Sequence, residues 1–173
     1  MIRLGILGTS PREHGPSFAD LLKDMPDVKL VSVWDYEKAN AVEFAKKYGM
    51  EYAEDAPGDM LGHVDAVLVT VHGAPPGPGQ AAGETPSDHM RFSKIFLEAG
   101  KPLFLTKPFA DKIEDARGMV ELSRRTGTPL MSCSTLRYAP EVVTLRQRIL
   151  DNQLGNPRTA FATIRAGGRL TLA

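Results

Sequence analysis

The stretch Ile2-Arg-Leu-Gly-Ile-Leu-Gly8 decides the fold, because a short apolar run ends at a glycine and leads into a helical pattern. Beyond it, Phe18, Leu21 and Leu22 recur at the spacing of one helix face. An apolar strand that turns at a glycine into a helix is the first unit of many open α/β sheets. The opening of the chain therefore predicts a buried strand, a tight turn and a helix.

The alternation of apolar runs with helix-length amphipathic segments continues along most of the chain. It predicts further strands at residues 29–34, 64–71, 102–105 and 129–132. Further helices are predicted at residues 36–48, at 85–100 with Thr85 as the capping residue, and at 113–127 with Gly127 as the stop. Strands that alternate with helices in this way predict an α/β fold with a doubly wound parallel sheet.

The composition excludes several classes of protein. The 173 residues carry 21 Lys and Arg against 21 Asp and Glu, and a net charge of +0 argues against a basic nucleic-acid or membrane-surface binder. No apolar run approaches the roughly 20 residues that cross a bilayer. Cys133 is the single cysteine, and no histidine has metal-ligand spacing. We expect a soluble, cytoplasmic protein without a metal site.

Two segments interrupt the alternation of strands and helices. Residues 73–86 contain four glycines and four prolines, so we expect a loop there. Residues 158–165 alternate polar with apolar side chains, as a half-exposed antiparallel strand does. The sequence therefore predicts a first domain at residues 1–136, and at 137–173 a connecting helix and the first strand of an incomplete α+β domain. Such an unpaired strand favours association, so a homo-oligomer is a further expectation.

The turn after the first strand, Gly8-Thr-Ser-Pro-Arg-Glu-His-Gly15, lies where dinucleotide folds hold a pyrophosphate against a helix N-terminus. Aligned on the G-x-G-x-x-G fingerprint from Gly8, the second glycine falls on Ser10 and the third on Glu13. Ser10 is small enough for close approach, whereas the Glu13 carboxylate would oppose a phosphate. Phosphate contact and a plain tight turn both remain open interpretations of this motif.

Two charged residues follow predicted strands. Asp35 ends the second strand, where an acidic side chain accepts hydrogen bonds from an adenosine ribose and favours NAD over NADP; alternatively, Asp35 caps the following helix. Lys107 directly follows the strand at 102–105, at the edge where open α/β sheets bind ligands. A lysine there suits proton transfer to a substrate hydroxyl or carbonyl, and the alternative is an ordinary exposed lysine. His72 ends the strand at 64–71 on the same edge.

Taken in order, these motifs resemble the N-terminal half of the glucose-fructose oxidoreductase, inositol dehydrogenase and MocA family. The resemblance spans nearly the whole chain and adds His89 upstream of Leu97-Glu-Ala-Gly-Lys-Pro102, then Lys107-Pro108, Arg137-Tyr-Ala-Pro140 and Asn152-Gln-Leu-Gly-Asn-Pro157. It implies a Rossmann fold that binds NAD or NADP. This sequence departs from the family pattern at Thr106, where the family has a glutamate before the lysine.

The resemblance also implies roles for individual residues. Lys107 would contact the nicotinamide and the substrate. The residues that would bind cofactor are Gly8, Thr9 and Ser10 under the pyrophosphate, Asp35 at the ribose, Thr70 and His72 beside the dinucleotide, and Arg137 near the cofactor cleft. Family members run on into a second domain that closes the substrate site, so we expect negligible turnover by these 173 residues alone.

Two hypotheses for function follow. The first is the cofactor-binding part of an NAD(P)-dependent oxidoreductase that transfers hydride between nicotinamide and a hydroxyl-bearing carbon of a sugar or polyol, with NAD favoured over NADP. The second is a non-catalytic Rossmann-like domain with a regulatory or assembly role. Ser10, Glu13 and Thr106 motivate the second hypothesis, because each departs from the pattern of a dinucleotide-binding enzyme.

Overall fold

Six strands form one parallel sheet in the computed structural model, which describes residues 1–11, 14–75, 86–159 and 161. The strands are β1 (Ile2–Leu7), β2 (Val28–Trp34), β3 (Tyr52–Ala53), β4 (Ala66–Val69), β5 (Leu103–Leu105) and β6 (Leu130–Ser132). Their order in the sheet is β3-β2-β1-β4-β5-β6. Every neighbouring pair is parallel. The predicted parallel α/β sheet is confirmed.

Helices cover both faces of the sheet. The helices on these faces are α1 (Gly15–Leu22), α2 (Lys38–Tyr48), α3 (His89–Glu98) and α4 (Ile113–Thr126). The chain also contains α5 (Pro140–Leu150) and 3₁₀ helices at Pro57–Gly62 and Thr135–Tyr138. Ala19 of α1 and Phe44 of α2 pack with Ile6 in one apolar core. Phe92 of α3 and Met119 of α4 pack in a second core on the opposite face. The sheet is therefore doubly wound, as predicted.

The strand order places a ligand crevice beside β1. The chain runs outward from β1 to β2 and β3 in one direction, and from β4 to β6 in the other. At such a reversal the loops after β1 and β4 leave the sheet toward opposite faces, which opens a crevice at the carboxyl ends of these strands. The loops that follow β1, β2, β4 and β5 therefore surround the candidate site.

Several boundaries differ from the sequence predictions. The strand β3 was not predicted, and β4 is shorter than residues 64–71. The helix predicted at 85–100 begins later, at His89, with Asp88 as its N-cap, and the expected capping residue Thr85 lies outside the described residues. The hydroxyl of Ser87 instead accepts the backbone N–H of His89 at 3.2 Å. Residues 76–85 of the predicted loop lie outside the described residues.

The chain divides into two units, Met1–Ser134 and Thr135–Ala173. The second unit contains a 3₁₀ helix and α5, and none of the residues of α5 is buried. The predicted strand at 158–165 lies outside the described residues, apart from positions 158, 159 and 161. Within the described part of the chain, no helix combines the length and the apolarity that a bilayer span requires.

Candidate functional site

The turn after β1 requires glycine at position 8. Gly8 has a φ of +100°, a conformation that side-chain-bearing residues rarely adopt. A Cβ atom at Gly8 would lie 2.7 Å from the backbone nitrogen of Val71 and 2.8 Å from Oγ1 of Thr70. The Gly8 N–H donates to the carbonyl of Trp34 at 2.8 Å. The turn is therefore packed between the ends of β2 and β4.

A second glycine brings α1 against this turn. A Cβ atom at Gly15 would lie 2.5 Å from the carbonyl oxygen of Gly8, so only glycine fits there. Gly15 lies two residues beyond the position that the fingerprint spacing assigns to the third glycine, and Glu13 itself is outside the described residues. No described side chain caps α1. Because the first N–H groups of a helix have no partner within the helix, this end of α1 suits an anionic group.

Thr70, directly after β4, hydrogen-bonds the backbone of the turn through its side chain. Its hydroxyl lies 3.0 Å from the carbonyl oxygens of both Leu7 and Gly8, and the side chain is buried. One hydroxyl proton serves two acceptors, so the contact is shared between them. Thr70 acts on the backbone of the turn, and its hydroxyl is committed to that role.

Asp35 ties the end of β2 to the turn. Its Oδ2 accepts the Thr9 backbone N–H at 2.9 Å and the Thr9 hydroxyl at 2.7 Å. Its Oδ1 accepts the Glu37 N–H at 3.1 Å. Asp35 is not the N-cap of α2, which is Glu37; its carboxylate fixes the turn and the segment before α2. The contact of Asp35 with a ribose stays a prediction. Oδ1 keeps acceptor capacity for a further donor.

A pocket of about 420 Å³ opens beside the turn. Thr9 and Ser10 line it on the side of the turn, and Asn40 and Lys47 line it on the side of α2. Ser10 is half-buried. The pocket therefore joins the backbone of the turn to a cation and an amide on α2.

Lys107 lies at the same edge of the sheet, after β5. Its side chain is exposed, and no described residue forms an ion pair or hydrogen bond with its ammonium. The preceding residue, Thr106, is buried, and its hydroxyl donates to the Thr70 carbonyl at 3.3 Å. The position that holds a glutamate in the family pattern is thus used here to fasten the end of β5 to the end of β4.

Two histidines link the loops on this edge. Nε2 of His72 lies 3.1 Å from Oδ1 of Asp111, and Oδ2 of Asp111 accepts the Ser87 N–H at 2.6 Å. The fully buried His89 ring lies 5.3 Å from the His72 ring in an edge-to-face arrangement. Sequence reasoning did not single out Asp111 or a role for His89. The available signals were the place of His89 in the family resemblance and its position shortly after the Pro/Gly-rich loop.

Burial lowers the pKa of His89 below its ordinary 6.5, assisted by His72 and opposed by hydrogen bonding to Phe109. A folded-state pKa below the unfolded value means that the unfolded chain binds the extra proton more readily. The contribution of His89 to the free energy of unfolding should therefore be fully present above pH 6.5 and be lost as the pH falls through the folded-state pKa.

We expect His89→Gln to reduce this acid sensitivity in urea unfolding measured from pH 7.5 to 5. An unchanged pH profile, with His63→Gln as the control, would contradict the assignment.

The structure brings Gly8, Thr9, Asp35 and Thr70 into one hydrogen-bonded cluster. Thr106 connects this cluster to the backbone that carries Lys107. Arg137 belongs to the second unit, where it is exposed on the 3₁₀ helix Thr135–Tyr138. The predicted role of Arg137 near the cofactor cleft stays a prediction.

A doubly wound sheet with a glycine turn between β1 and α1 and an acidic residue after β2 is typical of a Rossmann-type dinucleotide-binding domain. The family model GFO_IDH_MocA, described as an oxidoreductase family with an NAD-binding Rossmann fold, matches residues 2–133. The chain belongs to this family. The resemblance predicted from the sequence is confirmed.

Two curated relatives act on inositols, as their names state. An inositol 2-dehydrogenase from Agrobacterium fabrum is 29% identical over 170 residues, which cover 95% of this chain and 46% of that protein. A scyllo-inositol 2-dehydrogenase (NADP(+)) from Bacillus subtilis is 24% identical over 168 residues, which cover 94% of this chain and 45% of that protein. The chain thus spans about half the length of the curated relatives it matches.

A solved structure shares the fold. The scyllo-inositol dehydrogenase from Lactobacillus casei, crystallised with NAD(H) and scyllo-inositol, superimposes with a TM-score of 0.72. It is 20% identical, and the match covers 90% of this chain and 43% of that one. The shared fold agrees with the family match, an oxidoreductase family with an NAD-binding Rossmann fold.

Proposed function

We propose that the first unit is the cofactor-binding part of a dehydrogenase that acts on a sugar or polyol. The observation that carries the proposal is the turn at Gly8, which Asp35 and Thr70 hold beside the start of α1, where no described side chain caps the helix. In this arrangement the turn holds the start of α1 in place, and the backbone N–H groups at the start of α1 would bind the pyrophosphate. The inositol dehydrogenases among the relatives support a polyol as the substrate class.

We propose NAD rather than NADP as the cofactor. The spare acceptor capacity of Asp35 Oδ1 suits one ribose hydroxyl, whereas a 2′-phosphate would face a carboxylate. Lys47 lines the neighbouring pocket, but it belongs to α2 and shares that pocket with Glu43. The local charge therefore favours the unphosphorylated ribose, although the relatives include an NADP-dependent enzyme.

Lys107 is the proposed catalytic residue. When bound, the nicotinamide supplies the hydride chemistry. The exposed ammonium of Lys107, carried on the anchored end of β5, can donate a hydrogen bond to a substrate hydroxyl or carbonyl and pass a proton there. Since the chain spans about half the length of its relatives, we propose that this unit alone turns over a polyol negligibly. Robust turnover of myo-inositol would contradict that part of the proposal.

The deciding experiment is a calorimetric titration of the folded chain with NADH and, separately, with NADPH. Binding of NADH in preference to NADPH is the expected result, because Asp35 would repel the additional phosphate. Tighter binding of NADPH would overturn the proposed cofactor and leave the dinucleotide-binding domain intact. Absence of heat with both, on protein shown to be folded by circular dichroism, would overturn dinucleotide binding itself.

Lys107→Met provides the second test. Because the ammonium is exposed and makes no ion pair with a described residue, we expect the free energy of unfolding to change by less than about 0.5 kcal/mol. NADH affinity should fall by roughly 10-fold, which corresponds to one lost charge-assisted hydrogen bond. Lys112→Met, five positions further on, removes the same charge and serves as the control. Equal effects of the two substitutions would argue that net charge alone is responsible.

A non-catalytic role is the second candidate function. The observation that favours a non-catalytic role is that the Asp35 carboxylate already accepts three hydrogen bonds, two from Thr9 and one from Glu37. Under this interpretation Asp35 is a structural brace, and Thr106 marks the loss of the catalytic motif. The same titration discriminates the two, because a structural brace requires no dinucleotide affinity.

A further inference from the structure

The backbone around Lys107 is held on both sides, although its ammonium is exposed. Before it, the Thr106 N–H donates to the Val69 carbonyl at 3.0 Å. After it, Phe109 packs partly buried against the core under α3 and α4. The carbonyl oxygen of Phe109 lies 3.1 Å from Nδ1 of His89. A buried imidazole therefore touches the backbone two residues beyond the lysine.

The His89 ring joins two loops that leave neighbouring strands. Its Nε2 lies 3.1 Å from the carbonyl oxygen of Val71, in the loop after β4. Its Nδ1 contacts Phe109, in the segment after β5. The side chain is 0% exposed, so no water competes for either contact. A buried polar ring is costly unless its N–H finds a partner, and here both available partners are backbone carbonyls of loops at the candidate site.

One proton must serve two carbonyls in the neutral ring. A neutral imidazole carries a single N–H, so it donates to either Phe109 or Val71. The bond to Phe109 is the one that reaches the segment of Lys107. A second link between the same loops, through Asp111 and Ser87, involves a carboxylate that is 40% exposed, where solvent weakens such contacts. The buried bond of His89 is therefore the better protected link.

We propose that His89 is a positioning residue for Lys107: its Nδ1–H donates to the Phe109 carbonyl and so fixes where the backbone presents the lysine ammonium. The proposal rests on the proposed function for the role of Lys107. The hydrogen bond itself can be tested without any cofactor. His89 acts here through the backbone and touches neither substrate nor cofactor.

The ring nitrogens of the unmodified protein give the first test. Long-range proton–nitrogen NMR at pH 7.5 distinguishes the two tautomers of a neutral imidazole. We expect the proton on Nδ1, with slow exchange against water because the ring is buried. A proton confined to Nε2 would assign the bond to Val71 and would overturn the proposal.

Hydrogen exchange of substituted chains gives the second test. His89→Phe keeps the ring volume and removes both bonds, whereas the amide of His89→Gln can still donate to one carbonyl. We expect His89→Phe to speed exchange of the Thr106 and Ser87 amides by about 10-fold, with β1 amides unchanged, and His89→Gln to restore part of the protection. His63→Gln, on a partly exposed ring stacked at 3.7 Å on Tyr52, is the matched control. Unchanged local rates, or equal acceleration across the sheet, would overturn the proposal.

A double-substitution cycle connects the bond to Lys107. If His89 acts through the lysine, His89→Phe should weaken NADH binding in the wild-type background but add nothing in the Lys107→Met background. Equal effects in both backgrounds would refute positioning. If the wild-type chain binds no NADH, the proposed function fails, and the exchange experiment alone decides whether the His89 bond orders this segment.

Discussion

Gly8→Ala is expected to destabilise the first unit strongly and to abolish dinucleotide binding. The added Cβ would lie 2.7 Å from the Val71 nitrogen and 2.8 Å from Thr70 Oγ1, at a φ of +100°. The first of these atoms is backbone, so relief requires the turn to move away from β4. Backbone strain and the clash together should lower the free energy of unfolding by about 4 kcal/mol. NADH affinity should fall by at least 100-fold, about 2.7 kcal/mol, because the displaced turn no longer holds the N-terminus of α1 in place for the pyrophosphate.

Gly127→Ala separates the two causes in the Gly8 prediction. Gly127 also has a positive φ, +67°, at the end of α4, but a Cβ there would meet nothing within 4 Å. Its substitution should therefore cost only the conformational strain, about 1 kcal/mol, and leave NADH affinity unchanged. Urea unfolding and calorimetric titration measure both quantities. Similar losses for the two variants would show that close packing at Gly8 does not matter.

The sheet could be predicted because its strands carry their own signal. In β1, Ile6 and Leu7 are completely buried, and apolar residues in a short run are what a strand covered on both faces requires. The strand β3 is only two residues long, and Tyr52 is exposed, so no periodic pattern marks it. It exists because Ser32 and Val33 of β2 offer a free edge for pairing. Whether these two residues form a strand therefore depends on pairing with β2, and the local sequence of β3 carries no sign of that pairing.

The turn illustrates a different gap between sequence and structure. Fingerprint spacing assumes a turn of fixed length, and it therefore directs attention to position 13 rather than to Gly15. The requirement for glycine at position 15 comes from the Gly8 carbonyl, 2.5 Å from where a Cβ would stand. A Gly-Pro pair at the start of a helix was the available local signal. Close approach of a helix to a turn is a property of the packed fold.

The contacts of Asp35 were beyond sequence reasoning for a related reason. Spacing placed Asp35 at the right edge of the sheet but left a ribose contact and a helix cap as alternatives. The carboxylate reaches Thr9, 26 positions earlier in the chain, through two hydrogen bonds. Such a contact depends on the register of β1 with β2, in which Leu7 pairs with Trp34. Residue type and strand position were predictable, whereas the partner was not.

Asp35→Asn is expected to remove the preference for NADH over NADPH. The substitution keeps the shape of the side chain but replaces one acceptor oxygen by a donor. With the amide oxygen of the new side chain turned toward Thr9, its NH₂ group would face the Glu37 N–H, so about 2 kcal/mol of stability should be lost. Removing the carboxylate also removes its repulsion of a 2′-phosphate, which at short range is worth roughly 100-fold in relative affinity.

Two control variants separate the causes of this loss of preference. Asp59→Asn makes the same change in net charge at an exposed carboxylate that accepts the Ala56 N–H, and it should leave both cofactor affinities unchanged. Thr9→Val removes only the hydroxyl bond of 2.7 Å to Asp35 and keeps the carboxylate, so the NADH preference should survive a stability loss of about 1 kcal/mol. If Asp35→Asn weakens the binding of NADH and NADPH equally, the carboxylate stabilises the turn and does not contact the ribose. If the preference collapses while Thr9→Val retains it, selectivity comes from the charge of Asp35.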